Sequence, residues 1–259
     1  MEIQFYKYQG TGNDFIMVDD RAGTFPIDKE KIAHLCHRRF GIGADGLILL
    51  QTDSEYDFRM KYFNADGGEG SMCGNGGRAT VRFAHDLGVI GNTTRFIAVD
   101  GEHEASVDSE TISLKMSNVQ GSEEYPDYSF MNTGSPHVVA FKDKLEKLNV
   151  YREGYAIRYA DKWVARGGTN VNFVEQTAAD ALFVRTYERG VEDETYSCGT
   201  GVTACALTAH LKLGMQSPVK IKVLGGNLKV DFKQTAPDTF EDIYLIGPAE
   251  RVFEGMVTV

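Results

Sequence analysis

The sequence overlays on itself when shifted by 125 residues. At that offset Phe58 falls on Phe183, Tyr62 on Tyr187, Glu69 on Glu194, Cys73 on Cys198, Gly74 on Gly199, Gly76 on Gly201 and Ala79 on Ala204. The register then continues through Ala84 and Ala209, His85 and His210, to Gly101 and Gly226. One register that gathers these matches around a rare C-G-x-G is not a chance alignment, and its period is too long for a solenoid. The chain is therefore two copies of one domain, which restricts it to architectures that can be built twice. Its 259 residues leave room for two ordinary domains, and 42% hydrophobic with 25% charged residues suits globular cores.

Each copy carries the same local pattern. Phe58, Met60 and Tyr62 alternate as in a strand, and ALFVRTYER plays that part in the second half. A polar Gly-rich turn follows, then a helix: about Asn75 to Leu87 with a stop at Gly88, and about Thr200 to Leu213 with a stop at Gly214. Both helices are rich in Ala and poor in charge, as buried helices are. Strands are expected at 15–19, 46–50, 94–99, 111–116, 137–141, 171–175, 219–223 and 243–246, and an amphipathic helix at Lys29 to Phe40 with Ile32, Leu35 and Cys36 on one side. The predicted class is α+β: two pseudo-symmetric domains, each a curled, barrel-like mixed sheet around a central helix, with the active site in the cleft between them. Expected boundaries are 1–117 and 118–249, hinged in the polar stretch Ser117 to Ser129. The last strand, 250–259, lies beyond the repeat and is a candidate to complete the first domain.

Cys73 and Cys198 each precede a helix with a Gly-rich first turn, where unpaired backbone N–H groups and the positive end of the helix dipole favour an anion. Such surroundings lower a thiol pKa from about 8.5, and neighbouring glycines let a ligand approach the backbone. If the two copies face each other, one thiolate can remove a proton from a carbon while the opposite thiol delivers one to the other face. The result is inversion of a stereocentre. The helix starts would hold the substrate carboxylate and stabilise charge as the α-proton leaves. An isolated cysteine is more often a small buried hydrophobe, and Cys36 and Cys205, inside apolar helical patterns, read that way.

The segments MCGNGGRA, YERGVEDETYSCGTGVTA, GTGNDF and FNADGGE resemble the diaminopimelate epimerases, a family of the cofactor-independent amino-acid racemase and epimerase superfamily. The resemblance implies interconversion of LL- and meso-2,6-diaminopimelate on the way to lysine and peptidoglycan, without a cofactor or metal. It implies that Cys73 acts on the LL substrate and Cys198 on the meso form, with the reacting carboxylate on the amides of Gly74, Asn75, Gly199 and Thr200. It assigns the non-reacting L-centre to Asn13, Asn64, Asn170, Glu188 and Arg189, and thiol tuning to His137 and Glu188. A forked arginine suits a carboxylate, and amide and carboxylate oxygens suit an ammonium group. Two positions depart from the family pattern: Ser135 in GSPH replaces an asparagine, and Gly46 stands where some members have glutamine.

Other function classes find little support. Thirty-seven acidic against twenty-seven basic side chains, a net charge of −10, disfavour nucleic acid and anionic membrane as partners. The amino terminus lacks a signal-peptide pattern and no apolar run approaches membrane-spanning length, so a cytoplasmic location is expected. The four cysteines include no CxxC and read as reduced thiols. GIGADG, residues 41 to 46, follows a helical pattern and leads into a strand, the reverse of a dinucleotide site. His34 and His37 flank Cys36 but have no second pair of metal ligands nearby. The partners expected are a small amino-acid substrate and, from the resemblance, a second copy of the chain, through surface near the carboxyl-terminal VFEGMV. The rivals are a racemase of the same superfamily acting on proline or hydroxyproline, which typically carries C-G-H-G where this chain has Asn75, and a non-catalytic amino-acid-binding descendant.

Overall fold

The computed structural model describes residues 1–259. Its contacts divide the chain into two compact units, Met1–Leu114 with Gly247–Val259, and Lys115–Ile246. The first unit runs β1 (Glu2–Gly10), β2 (Asn13–Asp19), α1 (Lys29–Cys36), β3 (Gly46–Gln51), β4 (Phe58–Asn64), β5 (Glu69–Gly70), α2 (Gly74–Asp86), β6 (Thr93–Ala98), β7 (Gly101–Val107) and β8 (Ile112–Lys115). The second opens with β9 (Val119–Gln120), β10 (Glu123–Glu124), β11 (Ser129–Asn132) and β12 (Pro136–Phe141), followed by α3 (Val150–Arg158) and α4 (Asp161–Val164). It continues with β13 (Asn170–Ala178), β14 (Ala181–Glu188), β15 (Asp193–Thr195), α5 (Gly199–Leu213), β16 (Val219–Val223), β17 (Gly226–Ala236) and β18 (Thr239–Gly247). A last strand, β19 (Glu250–Thr258), pairs antiparallel with β1.

Strand pairing repeats from unit to unit. In the first, β2–β3 and β4–β6 are parallel while β1–β2, β3–β4, β4–β5 and β6–β7 are antiparallel. In the second, β12–β13 and β14–β16 are parallel while β11–β12, β13–β14, β14–β15 and β16–β17 are antiparallel. A parallel pair cannot be joined by a tight turn and needs a crossover, which is where the helices sit. In the first unit α1 crosses between β2 and β3 and α2 between β4 and β6; in the second, α3 with α4 and then α5 do the same. Burial follows the pairing: GLILL of β3 is buried throughout, whereas VKIKV of β16 buries alternate residues.

The helices α2 and α5 are the central ones. The first packs on β1, β2, β3 and β7, the second on β11, β12, β13 and β14. Phe83 and Val81 on α2 and Val202 and Leu207 on α5 are fully buried. Both helices stop at a glycine in the left-handed region, Gly88 and Gly214, each at φ 68°. No helix is long and apolar enough to cross a membrane.

Helix α1 is shorter than expected and ends at Cys36, not Phe40. His37 is extended, and the amides of Ile42 and Gly43 donate to the carbonyl of Leu35 while that of Ala44 donates to Cys36. These bonds satisfy the helix's last carbonyls, and the amides of Arg39 and Phe40 turn to the His37 ring instead. Helix α3 is unheralded because it buries only Val150 and Gly154 and leaves Tyr151, Tyr155 and Tyr159 exposed.

At Gly46 an added Cβ would overlap the Tyr62 ring and lie 2.5 Å from the Phe63 carbonyl oxygen. Backbone and ring cannot both give way, so Gly46→Ala should lower stability by about 1–3 kcal/mol in urea unfolding. Gly91→Ala, where the added carbon meets nothing within 4 Å, is the control and should change stability by less than about 0.5 kcal/mol.

Candidate active site

Cys73 is the N-cap residue of α2, extended at φ −110° and ψ 153°, and its Sγ accepts the Gly76 N–H at 3.2 Å. The first turn, Gly74 to Gly77, is buried. Two of its positions have little room for a side chain: a Cβ on Gly76 would stand 3.2 Å from the Cys73 sulfur, and one on Gly77 would stand 2.9 Å from both Leu114 and the Met72 sulfur. Asn13, the first residue of β2, comes to this helix start. Its Oδ1 lies 3.4 Å from Asn75 Nδ2 and 4.0 Å from Cys73 Sγ, and its Nδ2 donates to Asp45 at 2.6 Å.

Asp45 belongs to a charged cluster. Arg38 binds both Asp14 and Asp45, and buried Lys7 reaches Asp14 at 2.7 Å and the Gly43 carbonyl. Burial would raise the Asp14 pKa, but the hydrogen bonds from Arg38 and Lys7 outweigh it and hold the carboxyl at about 2. The cluster so fixes the rotamer of Asn13. Asn64 is exposed at the end of β4, opposite Gly46, with its backbone in a turn to Gly67 and Gly68. Gly46 has no room for a side chain, which explains the absence of glutamine there.

Sequence reasoning passed over Arg78, one helical turn beyond the thiol. It is fully buried, with Nη1 donating to the Gly74 carbonyl and Nη2 to Thr11 Oγ1 and Asn75 Oδ1, each at 3.1 Å. Burial lowers its pKa to about 10, against the opposing field of Cys73. At that value the guanidinium stays charged at neutral pH, a cation under the helix start that ties it to the Gly10–Thr11–Gly12 turn. The only trace in the sequence is a lone arginine in an otherwise uncharged turn, MCGNGGRA.

In the second unit Cys198 is the N-cap of α5, extended at φ −126° and ψ 111°. Its Sγ lies 3.7 Å from Thr200 Oγ1, which stands 2.9 Å from His137 Nε2. His137 is fully buried; burial and the nearby Arg189 charge hold its pKa at about 3, so the ring is neutral. Asn170 spends its amide nitrogen on Ser135 Oγ and the Pro136 carbonyl, and its oxygen on the Arg189 N–H. Ser135 therefore serves as an acceptor for Asn170. Glu188, at the end of β14, accepts from Thr195 Oγ1 at 2.9 Å. Arg189 is exposed, donates to the Gly167 carbonyl, and lines a cavity of about 570 Å³ with Asn132, Pro136, Trp163 and Arg166.

The other two cysteines are buried inside their units. Desolvation pushes Cys36 up to about 12 and Cys205 well above the usual thiol range, the Cys198 charge adding to the latter.

Arg78→Met should cost about 3 kcal/mol in denaturant unfolding, since three buried acceptors lose their donor, and Arg78→Lys should not restore it because one ammonium cannot span the fork. For His137 the folded pKa is depressed from 6.5 to about 3, so its contribution is fully present above pH 6.5 and is lost as pH falls towards 3. The stability gap between the wild type and His137→Gln, read by thermal melting, should accordingly narrow across that window.

The profile of the diaminopimelate epimerase family matches residues 5–120 and 129–252. Diaminopimelate epimerase of Flavobacterium psychrophilum is 51% identical over 97% of this chain and 99% of its own length; that of Chlorobaculum tepidum is 46% identical over 96% and 99%. Among solved structures, a PhzF-family phenazine biosynthesis protein of Bacillus anthracis aligns over the whole of both chains with a TM-score of 0.79 at 15% identity. A probable proline racemase of Agrobacterium radiobacter aligns over 99% of this chain and 93% of its own with a TM-score of 0.70 at 14% identity. At such identities the two structures speak for the fold alone, and they share its two-unit α+β design. With its sequence matched along both halves, the chain belongs to the diaminopimelate epimerase family.

Proposed function

We propose that this chain interconverts LL- and meso-2,6-diaminopimelate by a two-base reaction in which Cys73 and Cys198 address opposite faces of one α-carbon. The observation that carries the reading is the repeated construction of the site: in each unit a cysteine caps a buried, glycine-started core helix, in a chain of this family. On the LL substrate the Cys73 thiolate takes the α-proton and becomes a thiol, while the Cys198 thiol gives its proton to the opposite face and becomes the thiolate. The meso form reverses both transfers. The α-carboxylate binds at the amides of Gly74, Asn75, Gly199 and Thr200, whose N–H groups offset the charge that develops as the C–H bond breaks.

At the non-reacting end, the Arg189 guanidinium pairs with the distal carboxylate, and Glu188, Asn13 and Asn64 accept from its ammonium group. Asn170 holds Arg189 in register. His137 and Glu188 tune the thiols. No cofactor is needed, because the two sulfurs supply both proton transfers and the backbone N–H groups the charge stabilisation; proton exchange with solvent or the reverse turnover resets the sulfurs. The same reading places the enzyme in the cytoplasm, on the route to lysine, as a homodimer. Exposed Val252, Phe253 and Met256 on β19 offer an apolar strip for pairing copies, and a monomer mass in sedimentation at micromolar concentration would remove the dimer.

In D₂O with a thiol reductant and no added cofactor, LL-diaminopimelate should gain deuterium at one α-carbon and yield the meso isomer, while L-proline should exchange nothing. Exchange of proline instead would transfer the chain to another substrate of the superfamily, and no exchange with either would leave a binding protein. Cys73→Ala and Cys198→Ala should each reduce epimerisation by about 10²–10⁴-fold, the usual contribution of a positioned acid or base.

A further inference from the structure

The second unit contains a buried chain of polar side chains that ends at Cys198 and has no counterpart in the first. Asn172 on β13 is fully buried, and its Nδ2 lies 3.0 Å from the Val138 carbonyl oxygen and 3.0 Å from His137 Nδ1. Its Oδ1 accepts from Thr186 Oγ1 at 2.9 Å. Only one orientation of the amide is possible, because the flipped one would set its oxygen against the carbonyl oxygen of Val138, acceptor to acceptor. The two amide hydrogens go one to Val138 and one to His137.

We propose that Asn172 is a positioning residue: by donating to the ring of His137 it fixes the imidazole in one tautomer and thereby aims the Thr200 hydroxyl hydrogen at the sulfur of Cys198. With Nδ1 accepting, the single proton of the neutral ring must be on Nε2, where it is donated to Thr200 Oγ1 at 2.9 Å. A hydroxyl has one hydrogen to give. Having accepted from His137, Thr200 turns its own towards Cys198 Sγ, 3.7 Å away. A second bond, from Thr133 Oγ1 to the Thr200 carbonyl at 2.8 Å, holds the residue in place. The packing shows the same constraint, since a Cβ on Gly201 would overlap Asn172 Oδ1.

His137 thus acts on the thiolate as a neutral donor relayed through a hydroxyl, not as the base that ionises it. Its low pKa, set by burial and then by Arg189, agrees with this. Strand register shows that the device is local to one half: the positions matching Asn172 and His137 in the first unit are Leu49 and Ile16, and Thr200 matches Asn75. Among titratable groups, Cys205 on the same helix senses the Cys198 charge, His137 on β12 reaches the sulfur through Thr200, and Arg189, just beyond β14, acts on His137. The strands β16 and β17 bring buried Val219, Ile221, Leu228 and Val230 to α5, and β11 brings Met131.

The inference rests on a catalytic role for Cys198, and its test is made without substrate, so a wrong substrate would leave it standing. Long-range ¹H–¹⁵N spectra of the wild type, with His137 assigned from the signal lost in His137→Gln, should show a neutral Nε2–H ring from pH 6 to 9. An Nδ1–H tautomer, or an imidazolium at pH 7, overturns the proposal. The pH dependence of iodoacetamide alkylation, read at Cys73 and Cys198 separately by peptide mass spectrometry, tests the relay. Thr200→Val should move the Cys198 profile up by about one pH unit, the scale of one hydrogen bond to a charged sulfur, with Thr200→Ser restoring it. Asn172→Ala should move it in the same direction, and adding it to Thr200→Val should bring no further shift, because both act through one hydroxyl. Equal shifts at both cysteines, or additive effects in the double variant, would refute the relay.

Discussion

A helix that begins in the protein interior leaves its first backbone N–H groups without helical partners, and everything at the candidate site answers to that shortage. In α2 one of them is met by the Cys73 sulfur, whereas in α5 Cys198 holds the corresponding N-cap position without a side-chain capping bond to the helix. Glycines recur in each first turn, at Gly76 and Gly77 and at Gly201, where an added Cβ would press on the cysteine or on a packed neighbour. The crossover geometry of the parallel strand pairs then sets these helices in the middle of their units, so the capped ends are fixed by the whole sheet.

The duplication and the two helix starts were legible because they depend on local chemistry: glycines where a Cβ is excluded, alanines where a helix is buried, and a stop at Gly88 and Gly214. The parallel pairings of β3 and β13 were less so, since a continuous apolar run such as GLILL states burial and not partner. The end of α1 was misread because HRRF continues a helical pattern, while the capping bonds come from Ile42, Gly43 and Ala44, beyond the window. At the site, the cysteines and Asn13 could be named from motifs. Arg78 and Asn172 could not, because their importance lies in partners distant along the chain, Thr11 for one and His137 for the other.

The two halves keep one topology but support their sulfurs by different means. Arg78 places a buried cation beneath the first helix start, and the matching residue of the second half is Thr203, whose hydroxyl bonds to the Gly199 carbonyl. The second half has the neutral chain of Asn172, His137 and Thr200 instead. A full charge acts over several ångströms and resists reorientation, whereas a hydroxyl acts at contact and depends on where its hydrogen points. Duplication supplied two equivalent thiols, and the substitutions around them made the environments chemically distinct.

The pairing of β19 with β1 also bears on the order in which the protein assembles. Residues 115 to 246 form a unit continuous in sequence, whereas the unit containing the amino terminus draws on residues 247 to 259. During synthesis the amino-terminal segment leaves the ribosome first, yet β1 has only β2 beside it until the final strand emerges. The second copy of the repeat can therefore close while the first still has an open edge, and the half that is made first is finished last.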